Sequence, residues 1–489
     1  MSKIILFVCN KILVSIKKKN IMFLIKSECF YNGERKMSDT KIKDLTTGNP
    51  LALIIGFCIP IFFGIIFQQF YSVVDTMIVG RTLGVDALAA VGATGSITFM
   101  IVGFCNGIAS GFAIPVAQRF GAKDEKGLKL TIANSIYLGI VFSVIITLLV
   151  TTLCRTILEF MHTPLNIIDG SYNYLIIIFW GIPITFFYNL FSGIMRSLGN
   201  SKTPVLFLIM ASVINIILDM VFIVNFGMGV EGAGYATVIS QFIAALLSGI
   251  YMIKKYPVLH MTKEERRADS HCMLQLCYMG LPMGLQYSIT AIGSVILQTA
   301  VNGLGSAAVA SLTSGSKIAC FFCAMIDALG STMATFGGQN VGAKRLDRVT
   351  KGLYIACGIG IIYSVFIGIM CTVFGETFAL LFVDSSEKEI IANVALYLKI
   401  ESFFYILLTF VNCVRFMIQG MGFSGFAVLA GVMEMIARVV VAMTLVPIYG
   451  FKGACFASPV AWILADLFLI PAFFYVRKKL QIRFDSFFA

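Results

Sequence analysis

Asp75, Asn215, Asp219 and Thr237 are the residues of this 489-residue chain whose types and placement could do chemistry. Each lies in a long apolar run, where an ionisable group costs roughly 3 kcal/mol or more to insert and is kept for a pathway or a partner. The first run ends near Gly80 and the fifth near Asn225. At about 1.5 Å of rise per residue, Asp75 and Asp219 therefore sit roughly 8 and 9 Å inside those ends. Thr237 opens the sixth run, a similar distance in from Gly232, so three helices present polar side chains at one level. Asn215 is one turn deeper on the face of Asp219, because residues four apart are helix neighbours. Two carboxylates, an amide and a hydroxyl supply hard oxygen ligands for a small cation such as Na+, or a pair able to share a proton. The competing reading has each Asp hydrogen-bonded separately for packing alone.

The elements that must position these groups are membrane helices. Hydrophobic residues make up 58% of the chain and charged ones 13%, well below the roughly 25% charged of soluble domains. A 30 Å hydrocarbon layer takes about 20 residues of helix. Runs of that kind cover 51–80, 87–113, 130–153, 171–194, 203–225 and 232–253, then 274–302, 306–336, 352–374, 392–419, 426–447 and 452–476. The expected fold class is all-α, with twelve transmembrane helices in two sets of six.

A net charge of +12 could suggest a nucleic-acid partner, but its distribution is a topology signal. One set of connections carries twenty Lys and Arg, from Arg119 through Arg196 and Arg415 to Arg483; the alternate set carries only Arg81, Arg155, Lys388 and Lys452. Loops rich in Lys and Arg are cytoplasmic, so both termini are expected in the cytoplasm, with no nucleic-acid partner. Six helices return the chain to its starting side, which gives both halves one orientation about an axis along the membrane normal.

Gln118-Arg119-Phe120-Gly121-Ala122-Lys123 and Gln339-Asn340-Val341-Gly342-Ala343-Lys344 repeat Q-x-x-G-A-K at a spacing of 221 residues, and Gly199 with Gly422 stand 223 apart. A repeat this long is a whole bundle. Expected units are a cytoplasmic tail 1–48, a six-helix lobe 49–253, a basic loop 254–273, a second lobe 274–476 and a tail 477–489. Residues 1–36 read as an upstream extension or a basic tail, not a signal peptide, since Lys11 interrupts the apolar run and no small-residue cleavage site follows. Both Q-x-x-G-A-K copies fall in basic loops, which assigns them to an inner gate rather than to the ion.

The halves are charged differently. Asp75 has no carboxylate counterpart, since the seventh run offers Gln286, Thr290 and Gln298, and Arg438 stands where the first half has Asn215. The coupling site is therefore single. Glu434 and Arg438 form an i, i+4 pair that reads as structural neutralisation. Asp327 is a candidate contact for a cationic substrate, with Gln286 and Asn412 as further polar contacts; Lys317, Glu401 and Asp466 have no assigned role. Cys320 and Cys323 have metal-like spacing but no second pair, and structural zinc needs four ligands, so they read as buried packing residues. No nucleophile, phosphate-loop or dinucleotide pattern is present, so neither an enzyme nor a cofactor is expected and transport would run on an ion gradient.

The segment Gln69 to Gly80, the two Q-x-x-G-A-K loops, Arg196-Ser197-Leu198-Gly199 and Asn215-Ile216-Ile217-Leu218-Asp219 resemble the multidrug and toxic compound extrusion (MATE) transporters, over about residues 45–480. The resemblance implies two six-helix lobes around a central cleft that alternately faces cytoplasm and exterior. The family's acidic residue in the first span falls on Asp75, and its cation cluster on Asn215, Asp219 and Thr237. One branch carries acids in the seventh and tenth spans, where this chain has Thr290 and Asn412. The function implied is ion-coupled antiport, by a monomer in the plasma membrane among its lipids, exporting organic cations in exchange for H+ or Na+. The high Phe and Met content, 43 and 23 residues, suits an adaptable apolar cleft. A flippase for a lipid-linked precursor is the runner-up, and it would want an Arg-rich headgroup cavity.

Overall fold

The computed structural model describes residues 44–161, 163–262 and 264–486. Most of the N-terminal tail, including 1–36, lies outside the described residues, as do His162 and Lys263. Among the described residues there are helices and turns and no strands. The first lobe comprises α1 (Pro50–Thr82), α2 (Val85–Ala93) with α3 (Gly95–Gly121), α4 (Glu125–Phe160), α5 (Ile168–Trp180) with α6 (Ile182–Ser197), α7 (Lys202–Asp219) and α8 (Gly229–Lys255). The second comprises α9 (Ser270–Asn302), α10 (Ser306–Gly342), α11 (Leu346–Ala379), α12 (Lys388–Phe403) with α13 (Tyr405–Gly420), α14 (Gly425–Tyr449), and α15 (Phe451–Ala454) with α16 (Ala457–Asp485). Ten helices are long and apolar enough to cross a membrane, or twelve when each bent pair is one span. The helices overrun the expected spans at the basic end: α10 alone has 37 residues, roughly 55 Å at 1.5 Å per residue.

The two bent spans occupy equivalent places. α5 and α6 meet at 46° across Gly181, and α12 and α13 at 52° across Phe404, 223 residues later. Gly181 is needed for close approach, since a Cβ there would come within 2.5 Å of Val238, and Pro183 starts the next helix where its missing N–H is harmless. In the second lobe the break has no such residue to announce it.

The lobes pack hardest at the basic end. Gly103, Gly107 and Gly111 form a stripe on α3 that lets α9 lie against it backbone to backbone: a methyl group at Gly107 would meet the Met283 carbonyl at 2.5 Å, and one at Gly111 the Gly280 Cα at 2.5 Å. Small residues four apart allow this approach where side chains cannot compete with lipid for burial. The first helix of each lobe also crosses over. Ile54, Phe57, Cys58 and Ile61 of α1 join the apolar core of the second lobe, and Cys272 and Leu276 of α9 join that of the first. The basic ends of α1 and α9 thus each contribute to the core of the opposite lobe.

Arg415, taken from sequence as a loop cation, is buried inside the second lobe and paired with Glu434 of the neighbouring α14. Glu434 and Arg438 are also in contact, at 4.0 Å, but Arg415 is the tighter partner and Arg438 donates to the Thr290 carbonyl at 3.1 Å. Helix periodicity exposed the pair within one helix and could not expose the one between helices. The excess of basic residues at that end of the bundle keeps its direction without Arg415.

Residues 44–49 are a strap across the basic end. Arg348 donates to the Gly48 carbonyl at 2.9 Å, the Leu45 carbonyl at 3.1 Å and Asn340 Oδ1 at 3.1 Å, and Leu45 is fully buried. Arg348→Ala is expected to loosen this strap by roughly 2 kcal/mol, since bonds from a charged donor are each worth about 1.5–3 kcal/mol. Amide exchange of Leu45–Leu53 should accelerate by about tenfold or more with the rest of the bundle unchanged; a uniform acceleration would mean that Arg348 supports the whole fold instead. The inter-lobe loop is fastened too, by Lys129 to Glu265 at 2.9 Å and by Asn134, which accepts from the Asp269 N–H and donates to the Arg267 carbonyl.

Candidate functional site

Asp75 on α1, Asn215 and Asp219 on α7 and Thr237 on α8 converge, as their depths imply. The two carboxyl groups stand within electrostatic reach of each other. Asn215 donates to Thr237 Oγ1 at 3.3 Å, which ties the fifth span to the sixth. Asp219 and Asn215 are buried, at 0% and 1% exposure, while Asp75 and Thr237 are half-buried. Asp75 Oδ1, Asn215 Oδ1 and both Asp219 oxygens are buried without any hydrogen-bond partner. An unpaired buried oxygen of this kind costs roughly 1–3 kcal/mol, more when charged, so four together ask for a proton or a small cation. The donor set, all oxygen with two carboxylates, fits Na+. Among the described residues no group of three His, Cys, Asp or Glu side chains could hold a metal, so a bound cation would rely on the amide and hydroxyl as well.

Two features of the site were not legible beforehand. Directly after Asp219 the α-helix gives way to a π-helical segment, Met220–Asn225, in which Phe226 N–H bonds the Val221 carbonyl at 3.0 Å. Such insertions widen a helix by one residue per turn and concentrate at functional sites. Tyr71 and Tyr174 also stand within electrostatic reach of both carboxylates. Tyr71 was findable as the i−4 neighbour of Asp75; Tyr174 arrives from α5 and carried no signal.

The second lobe gathers its polar residues differently. Asn412 donates to Asp327 Oδ1 at 2.9 Å, which joins two of the three proposed substrate contacts. Gln286 is not with them: it is buried and accepts from Gln419 at 2.7 Å, inside the lobe. Cys320 is exposed rather than buried. Asp466 is buried with both oxygens unpaired.

The face of α10 that carries Asp327 defines an opening between the lobes. At the basic end a Cβ on Gly338 would lie 3.0 Å from that of Ala117 in the other lobe. Three turns further along the same face is Asp327, then Cys320 and Thr313 at successive sevens, and all three are exposed. On α3 the buried Ala117 gives way to the exposed Phe99. The lobes thus touch at the basic end and part toward the other.

The MatE family model matches residues 60–221 and again 282–444, once in each lobe. This chain belongs to the MatE family. It is 30% identical over 354 residues to the probable multidrug resistance protein YoeA of Bacillus subtilis (strain 168), covering 71% of this chain and 76% of that one. It is 31% identical over 366 residues to the probable multidrug resistance protein YpnP of the same strain, covering 75% and 81%. Among solved structures, a multidrug resistance MATE family transporter in an outward-facing conformation superposes with a TM-score of 0.84 at 23% identity, covering 91% of this chain and 99% of that one. The chain is thus a multi-pass membrane transporter with the MatE fold. The two matched segments coincide with the duplication that the Q-x-x-G-A-K motifs announce.

Those motifs now have a geometry in this MatE chain. Gln118 reaches across the lobe boundary to donate to the Gly420 carbonyl at 2.9 Å. Gln339 does the reverse, donating to the Ser197 carbonyl at 2.8 Å. Gly420 and Ser197 are equivalent last residues of α13 and α6, so each glutamine satisfies an orphan carbonyl at the end of a helix in the opposite lobe. The glycines let the strands of contact close: a Cβ on Gly121 would come within 1.9 Å of the Gln339 carbonyl oxygen, and one on Gly342 within 1.9 Å of that of Gln118. Lys123 and Lys344 then turn the chain at φ of 57° and 58°.

Proposed function

We propose that this MatE-family chain is an antiporter of the plasma membrane that exports organic, chiefly cationic, molecules in exchange for H+ or Na+, with the basic end of the bundle and both termini in the cytoplasm. The observation that carries the ion half is the set of four unpartnered buried oxygens of Asp75, Asn215 and Asp219, brought together by three spans of the first lobe. Export of drugs is supported by the printed descriptions of the two Bacillus relatives as probable multidrug resistance proteins. With the cytoplasmic end closed by Gln118 and Gln339 and the cleft open opposite, this state would accept the ion from outside. Ion occupancy moves the two-state equilibrium only through unequal affinity for the two states. In the second lobe Arg438 fills the place of Asn215 and donates to the Thr290 carbonyl, which supports a single coupling site. Asp327 and Asn412 supply the polar contact for a cationic substrate, and the chain acts as a monomer. A flippase with its headgroup in the second lobe would need Arg415 or Arg438 free, whereas both turn to Glu434, which favours drug export.

Proteoliposomes loaded with a fluorescent organic cation provide the test. An imposed pH gradient, or an imposed sodium gradient, is expected to accelerate efflux at least about tenfold over gradient-free vesicles, the least that a coupling free energy of about 1.4 kcal/mol supplies. Efflux indifferent to both gradients would overturn the antiport reading.

A further inference from the structure

The two glutamines that close the basic end are not held alike. Gln339 is fully buried, and its amide is engaged at both ends: Oε1 accepts from the Leu45 N–H of the strap at 2.9 Å, and Nε2 donates to the Ser197 carbonyl of the other lobe at 2.8 Å. A backbone N–H can bond only the oxygen end of an amide, so the strap decides which end faces Ser197. Gln118 is half-buried and donates to the Gly420 carbonyl at 2.9 Å. Among the described residues its Oε1 accepts no hydrogen bond.

The strap is gripped in turn by the residues around Gln339. Asn340 donates to the Leu45 carbonyl at 3.2 Å and to the Phe336 carbonyl at 2.8 Å. Arg348 donates to the same Leu45 carbonyl at 3.1 Å and to Asn340 Oδ1 at 3.1 Å. Both backbone groups of Leu45 are thus spent on Gln339, Asn340 and Arg348, all of the second lobe, and its side chain packs in that lobe's core. Strap and glutamine form one body. The first copy of the motif has no such grip. Arg119 stands in the place of Asn340 and pairs with Asp124 at 2.7 Å, and Gly127 stands in the place of Arg348. The segment leading into α9, which corresponds to the strap, is fastened to Asn134 of α4 and not to Gln118.

We propose that the strap, held by Arg348 and Asn340, is a positioning element of the inner gate: Leu45 presets Gln339 to donate to Ser197, so that the gate closes on a donor already in place. An unheld glutamine samples several rotamers and would offer Ser197 an oxygen as often as an N–H. Ordering such a side chain opposes closure, and preorganisation removes that opposition. The Gln118 half closes without this help. The gate is therefore asymmetric, and Leu45 and Arg348 are positioning residues because they act through Gln339. This rests on the basic end being the gate that opens during transport, and not on the ion or the substrate.

A double-mutant cycle on the full chain tests it, read by the distance between spin labels at Lys126 and Lys478, exposed on α4 and α16. Such a cycle shows whether one residue acts through another. Gln339→Leu and Gln118→Leu should each raise the ratio of open to closed basic ends about tenfold, and Arg348→Ala about fivefold, the scale of one buried hydrogen bond. Arg348→Lys should restore part of the closed population. Arg348→Ala combined with Gln339→Leu should stay at about tenfold, because nothing remains for the strap to position; combined with Gln118→Leu it should reach about fiftyfold, as independent effects multiply. A merely structural Arg348 would multiply with both glutamines, and that result overturns the proposal, as does an Arg348→Ala protein with the wild-type ratio. Should Arg348→Ala fail to fold, Arg348→Lys carries the same cycle with smaller ratios. Gly121→Ala separates the two readings. If it opens the basic end while Arg348→Ala does not, the strap's role alone fails; if neither these nor Gln339→Leu opens it, gate and strap fail together.

Discussion

Asp219→Asn is expected to abolish gradient-driven efflux of a fluorescent cation from vesicles, a loss of at least about hundredfold, while leaving the folded fraction and substrate affinity near wild type. The amide keeps the shape of the carboxyl group and removes its charge and its capacity to release a proton. Of the four unpartnered oxygens, two are on Asp219 and one on Asp75, so one substitution replaces one of the four with an N–H donor and takes the charge from a second. A coupling ion that binds both states alike shifts nothing however tightly it binds; hundredfold corresponds to about 2.7 kcal/mol of lost differential affinity. Asp75→Asn should act in the same direction and less completely, because Asp75 is half-buried and can be partly replaced by water. Full gradient-driven transport by both variants would sink the assignment and return the two residues to packing.

Gly342→Ala and Gly121→Ala should each remove the closed-gate state seen here. The added methyl group would stand 1.9 Å from a backbone carbonyl oxygen, of Gln118 or Gln339 respectively, and backbone inside two packed helices cannot turn aside as a side chain can. Neither glycine has positive φ, so the backbone conformation tolerates alanine and the effect is confined to the approach of the lobes. The population of lobes closed at the basic end is expected to fall by about a hundredfold or more, the scale on which a few kcal/mol redistributes two states. Spin labels at Lys126 and Lys351, both exposed in the first turns of α4 and α11 at the basic end, would read this as a longer inter-lobe distance. An unchanged distance in both variants would show that the gate closes elsewhere. The glutamine contacts should contribute less, since a single neutral hydrogen bond nets about 0.5–1.5 kcal/mol.

Much of the fold was legible because membrane insertion imposes a strong rule: an uninterrupted apolar stretch must become a helix to satisfy its own backbone. All twelve expected runs are helical, and the duplication gave their pairing. The convergence of the polar residues was legible for the same reason, since depth along a straight helix follows from residue count, and Asp75, Asp219 and Thr237 could be levelled before their helices were known to touch. What count cannot give is azimuth between helices. Gln286 and Asn412 were grouped with Asp327, yet Gln286 turns into the lobe toward Gln419 while Asn412 meets Asp327. Glu434 was paired within its own helix to Arg438, and its tighter partner comes from α13.

By itself, then, the sequence determined that this is a duplicated twelve-span helical membrane protein with a polar cluster in its first half, because hydropathy, charge bias and repeat spacing are properties of a linear chain. Only the tertiary structure decided that the basic ends of α1 and α9 exchange lobes, that Q-x-x-G-A-K is a reciprocal clasp from each lobe to the other, and that Gln286 turns to Gln419. Those are relations between segments more than a hundred residues apart, and they depend on which helix faces meet.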